Sequence, residues 1–132
     1  MAARTKTAMT IINVLVVDDH KIVRDVARRL LESDPGVRVV GEACDGVEAV
    51  DLTSTLQPDV IVMDISMPKM NGLEATSAIR ARWPTISVIL VTALTVDAYR
   101  EISQLCGATA FLAKENMPAQ LLTTLHRVLR VA

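Results

Sequence analysis

Residues 59–72, DVIVMDISMPKMNG, hold an apolar run that ends on a carboxylate, Asp64, before a turn rich in Pro, Asn and Gly. A short continuous run of this kind, bounded by turn residues, reads as a strand buried on both faces, the habit of parallel sheets covered by helices. A charge at the tip of such a strand has no evident packing role. What Asp64 is for depends on what the rest of the chain brings to that tip.

Working outward, the hydrophobic period alternates along the chain. IINVLVVDD (11–19) is a second continuous apolar run, and KIVRDVARRLLES (21–33) places Ile22, Val23, Val26, Ala27, Leu30 and Leu31 on one helical stripe, ended by DPG at 34–36. VRVVGEA (37–43) reads as a strand, and GVEAVDLTSTL (46–56) as a helix closed near Pro58. After the strand 59–65 comes a helix over 72–82 that stops before Trp83-Pro84, because the residue before a proline disfavours helical backbone. ISVILVTA (86–93) and ATAFLAK (108–114) supply two more strands. They flank a helix over 96–106 with Gly107 as its cap. PAQLLTTLHRVLRV (118–131) closes the chain, with Pro118 in the first turn of a helix and Leu121, Leu122, Leu125, Val128 and Leu129 as its apolar positions.

Five strands alternating with five helices specify an α/β fold with a parallel sheet covered on both faces. Right-handed crossovers leave a doubly wound, flavodoxin-like (βα)5 arrangement with strand order 2-1-3-4-5 as the best fit. The 132 residues suit one domain, expected over 11–132 behind a loosely ordered leader at 1–10. Hydrophobic residues make up 51% and aromatics only 2%, so the core has to be built from aliphatic side chains and Met. A net charge of −1 without a basic block argues against a nucleic-acid surface on this chain. No apolar window approaches the roughly 18 residues of a membrane span, so no membrane role and a cytoplasmic location are expected. The two cysteines, Cys44 and Cys106, are expected to be reduced, small buried hydrophobes rather than a disulfide framework.

In open parallel sheets the functional crevice lies beyond the carboxyl ends of the strands. Those ends carry Asp18, Asp19 and then His20 after the first strand, Asp64 after the third, Thr92 after the fourth and Lys114 after the fifth. Three converging carboxylates cannot all stay ionised without a counter-charge. A hard divalent ion such as Mg²⁺ supplies it with few protein ligands. Lys114 and Thr92 offer a cation and a hydroxyl to anionic oxygens, so the set reads as a phosphoryl-transfer site. Singly, each residue has a plainer reading. Asp19 could cap the first helix, Thr92 could be a turn residue and Lys114 a solvated one. His20 could tune the pocket or simply begin a helix, and Met63, Met67 and Met70 read as packing.

VLVVDDH, PDVIVMDISMPKMNG, VILVTA and GATAFLAKE, in that order, resemble the receiver domain of bacterial two-component response regulators over roughly residues 12–131. DDH and KEN further resemble the NarL/FixJ-like branch. The resemblance implies that Asp64 is the phosphoacceptor, charged by a phosphohistidine on a sensor histidine kinase. It implies that Asp19 binds Mg²⁺ directly, with Asp18, Asp64 and the backbone carbonyl of Ser66 completing the metal site. It also implies that Thr92 and Lys114 reach for the phosphoryl oxygens and that Thr92 and Phe111 form the switch. By alternation, Phe111 should lie on a different face from Lys114, and packing in the core is the plainer reading of this single Phe. Glu115 stands where many receivers carry proline, a departure that bears on the loop after Lys114.

On this reading the chain is no enzyme beyond its own phosphotransfer and autodephosphorylation. It is a signalling switch that controls a partner or a transcriptional output domain outside these residues, with possible homodimerisation on phosphorylation. A helix-turn-helix beyond Ala132 is what the branch implies for DNA binding. Two readings stay open beside it. One is an Asp-nucleophile phosphatase, disfavoured because the nucleophile is on the third strand, residue 66 is Ser and no cap insertion exists. The other is an interaction module with a vestigial pocket. Neither a Rossmann nor a Walker-type Gly motif follows any strand, so no nucleotide cofactor is expected.

Overall fold

The computed structural model describes residues 10–93 and 106–130. The valine- and isoleucine-rich runs form five strands: β1 Ile12–Val17, β2 Val37–Ala43, β3 Val60–Asp64, β4 Ser87–Thr92 and β5 Ala110–Ala113. The helices are α1 Lys21–Glu32, α2 Gly46–Leu56, α3 Gly72–Arg82 and α4 Met117–Arg130. All strand pairs are parallel, in the order β2-β1-β3-β4-β5. The helix expected over 96–106 falls almost wholly outside the described residues, as does the leader up to residue 9. Gly107 has the left-handed φ of 90° that a capping glycine takes without a Cβ penalty.

Strand alternation divides the core in two. Val14, Val16, Val60, Val62, Ile89 and Val91 face Ala27 and Leu31 of α1 and Leu121 and Leu125 of α4. Leu15, Val17, Ile61, Met63 and Leu90 face Ala49 of α2 and Ala75 and Ile79 of α3. β3 and β4 are buried along their whole length, which explains why their sequences are continuously apolar rather than alternating. Met63 is fully buried and Met67 and Met70 pack against the α2/α3 side, in keeping with a packing role.

Two expectations need correction. The α1 stripe is narrower than the sequence suggests. Val23, Ala27, Leu30 and Leu31 meet the sheet and α4, whereas Ile22 is 77% and Val26 41% exposed. At about 100° per residue, Ile22 and Val26 sit on the shoulder of the helix, past the reach of the sheet. Cys44 is exposed rather than buried, because it follows the last residue of β2 and opens the loop to α2. Its thiol is pushed up by a hydrogen bond and the charge of Glu48. Cys106, the other cysteine, is half-buried rather than buried, and neither is part of a disulfide.

The lead-in to β5 is tied to the far end of the sheet. Arg80 Nε donates to Gly107 O at 3.0 Å, and its Nη1 donates to Pro84 O and Ile86 O at 2.6 Å each. Val88 and Thr109 exchange two more bonds, Thr109 N to Val88 O at 2.8 Å and Val88 N to Thr109 Oγ1 at 3.0 Å.

Candidate functional site

The polar residues at the carboxyl edge meet as the topology requires. Asp18 is 3% exposed and Asp64 5%, and both stand over an apolar recess lined by Val16, Val23, Val62, Val91 and Met117. Lys114 Nζ lies 2.9 Å from Asp18 Oδ2 and 3.4 Å from Asp64 Oδ1, bridging the tips of the adjacent strands β1 and β3. Thr92 is buried at the end of β4, in register with Ala113, the residue before Lys114. Asp19 and Ser66 are exposed at the rim. Phe111 is half-buried against the α2/α3 core, on the side away from α1 and α4.

Burial drives the Asp64 carboxyl up to about 6, and the nearby Asp18 charge pushes it the same way. The Lys114 ammonium and the Ser66 backbone N–H act against that rise. Burial alone would lower the Lys114 pKa, but its bond to Asp18 and the charge of Asp64 outweigh it and leave it raised. Two buried carboxylates thus share one lysine, with the Asp19 carboxylate exposed beside them at the rim. Among the described residues, the ligand atoms of Asp18, Asp19 and His20 also lie within 4.8 Å of one another. This hard, oxygen-rich and under-compensated donor set fits a divalent cation of the Mg²⁺ type.

The capping alternative does not hold for Asp19. His20 occupies the N-cap position of α1 and makes no side-chain cap bond. The Asp18 carboxylate accepts from the His20 backbone N–H at 2.9 Å. His20 Nδ1 stands 3.4 Å from Asp18 Oδ1 and 3.2 Å from Asp19 Oδ1, so the ring belongs to the rim of the pocket. After β5 the chain turns directly into a 3-10 turn, Lys114–Asn116, with Glu115 exposed, so the departure from proline leaves Lys114 aimed at the carboxylates.

Several supporting residues escape a reading of the sequence. Asp45 and Asn71 cap α2 and α3, and Asn71 forms a capping box with Glu74. Gly46 and Gly72 follow them, each where a side chain would overlap backbone: the Met70 carbonyl for Gly46 and the Asp64 carbonyl for Gly72. The Gly46 N–H donates to Met70 O at 2.9 Å and the Gly72 N–H to Ile65 O at 2.8 Å, which fixes the loop after Asp64. Lys69 within that loop takes a left-handed φ of 67°. The repeated Asx-Gly pair was the available signal, but such a pair reads first as an ordinary turn. Arg24 is the other unforeseen residue. Its Nη1 donates to the Asp18 carbonyl at 2.7 Å and its Nε to Glu42 Oε1 at 2.9 Å.

Residues 14–126 match the model of the response regulator receiver domain. The chain belongs to that family. This receiver domain is 39% identical over 117 residues to the response regulator UvrY of Escherichia coli, covering 89% of this chain and 54% of the relative. It is 46% identical over 86 residues to a protein-glutamate methylesterase/protein-glutamine glutaminase of Pyrococcus horikoshii, covering 65% of this chain and 23% of that protein. Among solved structures, the signal receiver domain of the response regulator NarL from Mycobacterium tuberculosis superposes with a TM-score of 0.87 at 30% identity. That match covers 93% of this chain and 99% of the other. The likeness supports a NarL/FixJ-like receiver domain of a two-component system. The chain spans about half the length of UvrY and a quarter of the methylesterase.

Proposed function

We propose that this receiver domain is a phosphorylation switch whose phosphoacceptor is Asp64. The observation that carries the reading is the buried Asp64 at the tip of a central strand, sharing Lys114 with Asp18. An Asp64 carboxylate oxygen attacks the phosphorus of a phosphohistidine on a sensor histidine kinase. The new O–P bond forms as the P–N bond breaks, and the imidazole nitrogen keeps the electron pair. Lys114 then turns from the carboxylates to a phosphoryl oxygen, and Thr92 donates its hydroxyl to another. Asp18, Asp19, Asp64 and the Ser66 carbonyl would hold Mg²⁺, which supplies charge neutralisation for the carboxylates and the transferring oxygens when bound.

Movement of Thr92 and Phe111 biases a two-state surface on the β4–β5 side of the sheet, read by a partner or an output domain outside these residues. The NarL/FixJ-like resemblance favours a transcriptional output in the cytoplasm, with homodimerisation on phosphorylation as the accompanying step. No described helix is long and apolar enough to cross a membrane. The test is incubation with Mg²⁺ and a small acyl-phosphate donor, followed by intact mass. The wild type should gain one phosphoryl group and Asp64→Asn none; equal labelling of the two would refute the assignment. Steady turnover of phosphomonoesters would instead favour a phosphatase.

A further inference from the structure

We propose that Arg24 is a positioning residue for the acidic pocket, fixing the Asp18 carbonyl while Glu42 holds its charge in check. The inference rests on the phosphoryl-transfer reading above. Every polar group of Asp18 is spoken for. Its N–H donates to Ala43 O of β2 at 3.0 Å, and its carbonyl accepts from Arg24 Nη1 at 2.7 Å. Its two carboxylate oxygens meet the His20 N–H at 2.9 Å and the Lys114 ammonium at 2.9 Å. The two peptide units flanking Asp18 are therefore both held, Val17–Asp18 from β2 through the Asp18 N–H and Asp18–Asp19 from α1 through the Asp18 carbonyl. The direction in which Asp19 leaves β1 follows from these two bonds.

Electrostatics alone would make a guanidinium a poor neighbour for a cation site. Glu42 resolves the conflict. It takes the Arg24 Nε at 2.9 Å and Arg28 Nη2 at 2.9 Å, and the two guanidinium groups hold its carboxyl below the usual range against the effect of its own burial. Arg28 shares Glu42 with Arg24 and also pairs with Glu32 at 3.5 Å, and no bond joins it to Asp18 among those described. The two arginines are thus alike in charge and share Glu42, but Arg24 alone holds the Asp18 carbonyl while Arg28 pairs with Glu32 instead. Planar guanidinium geometry lets Arg24 serve an acceptor and a carboxylate at once, which a lysine ammonium cannot do in the same fixed directions.

The sign of the effect separates positioning from charge. Removing a cation near an acidic site should tighten metal binding if only charge matters. Removing a group that orients a ligand should weaken it, by about tenfold or more for residues behind metal ligands. The experiment is a Mg²⁺ titration of wild type, Arg24→Ala, Arg24→Lys and Arg28→Ala, followed by backbone amide shifts of residues 18–20 and 64–66, with urea midpoints as a check on folding. Arg24→Ala and Arg24→Lys should weaken Mg²⁺ about tenfold, and Arg28→Ala should bind as wild type does. Unchanged or tighter binding by the Arg24 variants, or an equal loss in Arg28→Ala, overturns the proposal. If Arg24→Ala fails to fold, Arg24→Lys decides by the same criterion. A wild type that does not bind Mg²⁺ at these residues is a separate result, and it removes the phosphoryl-transfer reading along with the inference.

Discussion

Lys114 Nζ stands 3.4 Å from Asp64 Oδ1 and closer still, 2.9 Å, to Asp18. The lysine is therefore divided between two buried carboxylates, and Asp64 receives the weaker share. That division explains why burial and the Asp18 charge still leave the Asp64 carboxyl raised to about 6.

The consequence is a metal-free protein that carries an electrostatic cost in Asp64. A carboxyl raised in the folded state favours folding while protonated, so stability falls as pH rises from about 4 through about 6. At about 1.4 kcal/mol per pH unit, the cost has a ceiling of about 3 kcal/mol. In EDTA, Asp64→Asn should match wild type near pH 4 and exceed it by about 1–3 kcal/mol above pH 6. Urea unfolding of both proteins across that range reads the difference directly, and shifts common to both cancel. A gap that does not depend on pH would reject this account of Asp64.

Gly72 sits against the backbone of the residue it helps to place. A Cβ there would overlap the Asp64 carbonyl and come within 2.9 Å of Ile65 Cα. Gly72→Ala should cost about 1–3 kcal/mol or more from forced backbone movement. It should also slow labelling of Asp64 by an acyl-phosphate donor. Gly36→Ala is the contrast, since its nearest neighbour is the Asp34 carboxylate at 3.3 Å. Denaturation midpoints and labelling rates of the two variants test the difference.

The narrow inner face of α1 makes a prediction about packing. Ile22→Ser, at a site 77% exposed, should change stability by no more than about 0.5 kcal/mol. Leu31→Ala, at a fully buried site, should cost about 2–5 kcal/mol. Comparable losses in thermal unfolding would restore the wider stripe that the sequence suggests.

A fourth prediction concerns the opposite end of the sheet, where His126 Nε2 and Asp34 Oδ2 lie 2.7 Å apart and join α4 to the turn before β2. The bond to His126 and the Gly36 N–H hold the Asp34 carboxyl below its ordinary value. A lowered carboxyl stabilises the fold above the ordinary carboxylate range, and that contribution disappears as pH falls through the depressed pKa. The pair is partly exposed, so His126→Ala should cost less than about 1 kcal/mol. The loss should shrink between low and high salt, which urea midpoints at two ionic strengths would show.

The strands, their order and the edge on which Asp18, Asp64, Thr92 and Lys114 gather were legible because burial on both faces writes itself into sequence as unbroken Val, Ile and Leu. Helix bounds were readable where a local break exists, as at Pro84 or the DPG turn at 34–36. Two things were not readable. How far round α1 the core extends depends on the distance from helix to sheet, so Ile22 and Val26 looked the same as Ala27. Arg24 looked like any charged residue on a helix, since its partners Asp18 and Glu42 come from two different strands and only the fold brings them into one place.

β5 is held very differently at its two ends. Its entry is pinned to neutral carbonyls and a hydroxyl through Arg80 and Thr109, contacts that no change of charge at the opposite edge would disturb. Its exit is paired to β4 through Ala113 and leads straight into Lys114, whose contacts are ion pairs with Asp18 and Asp64. The strand is short, four residues, and among the described residues β4 is its one paired neighbour. β5 thus has a charge-independent anchor near Gly107 and a charge-dependent contact immediately past Ala113, its last residue paired with β4.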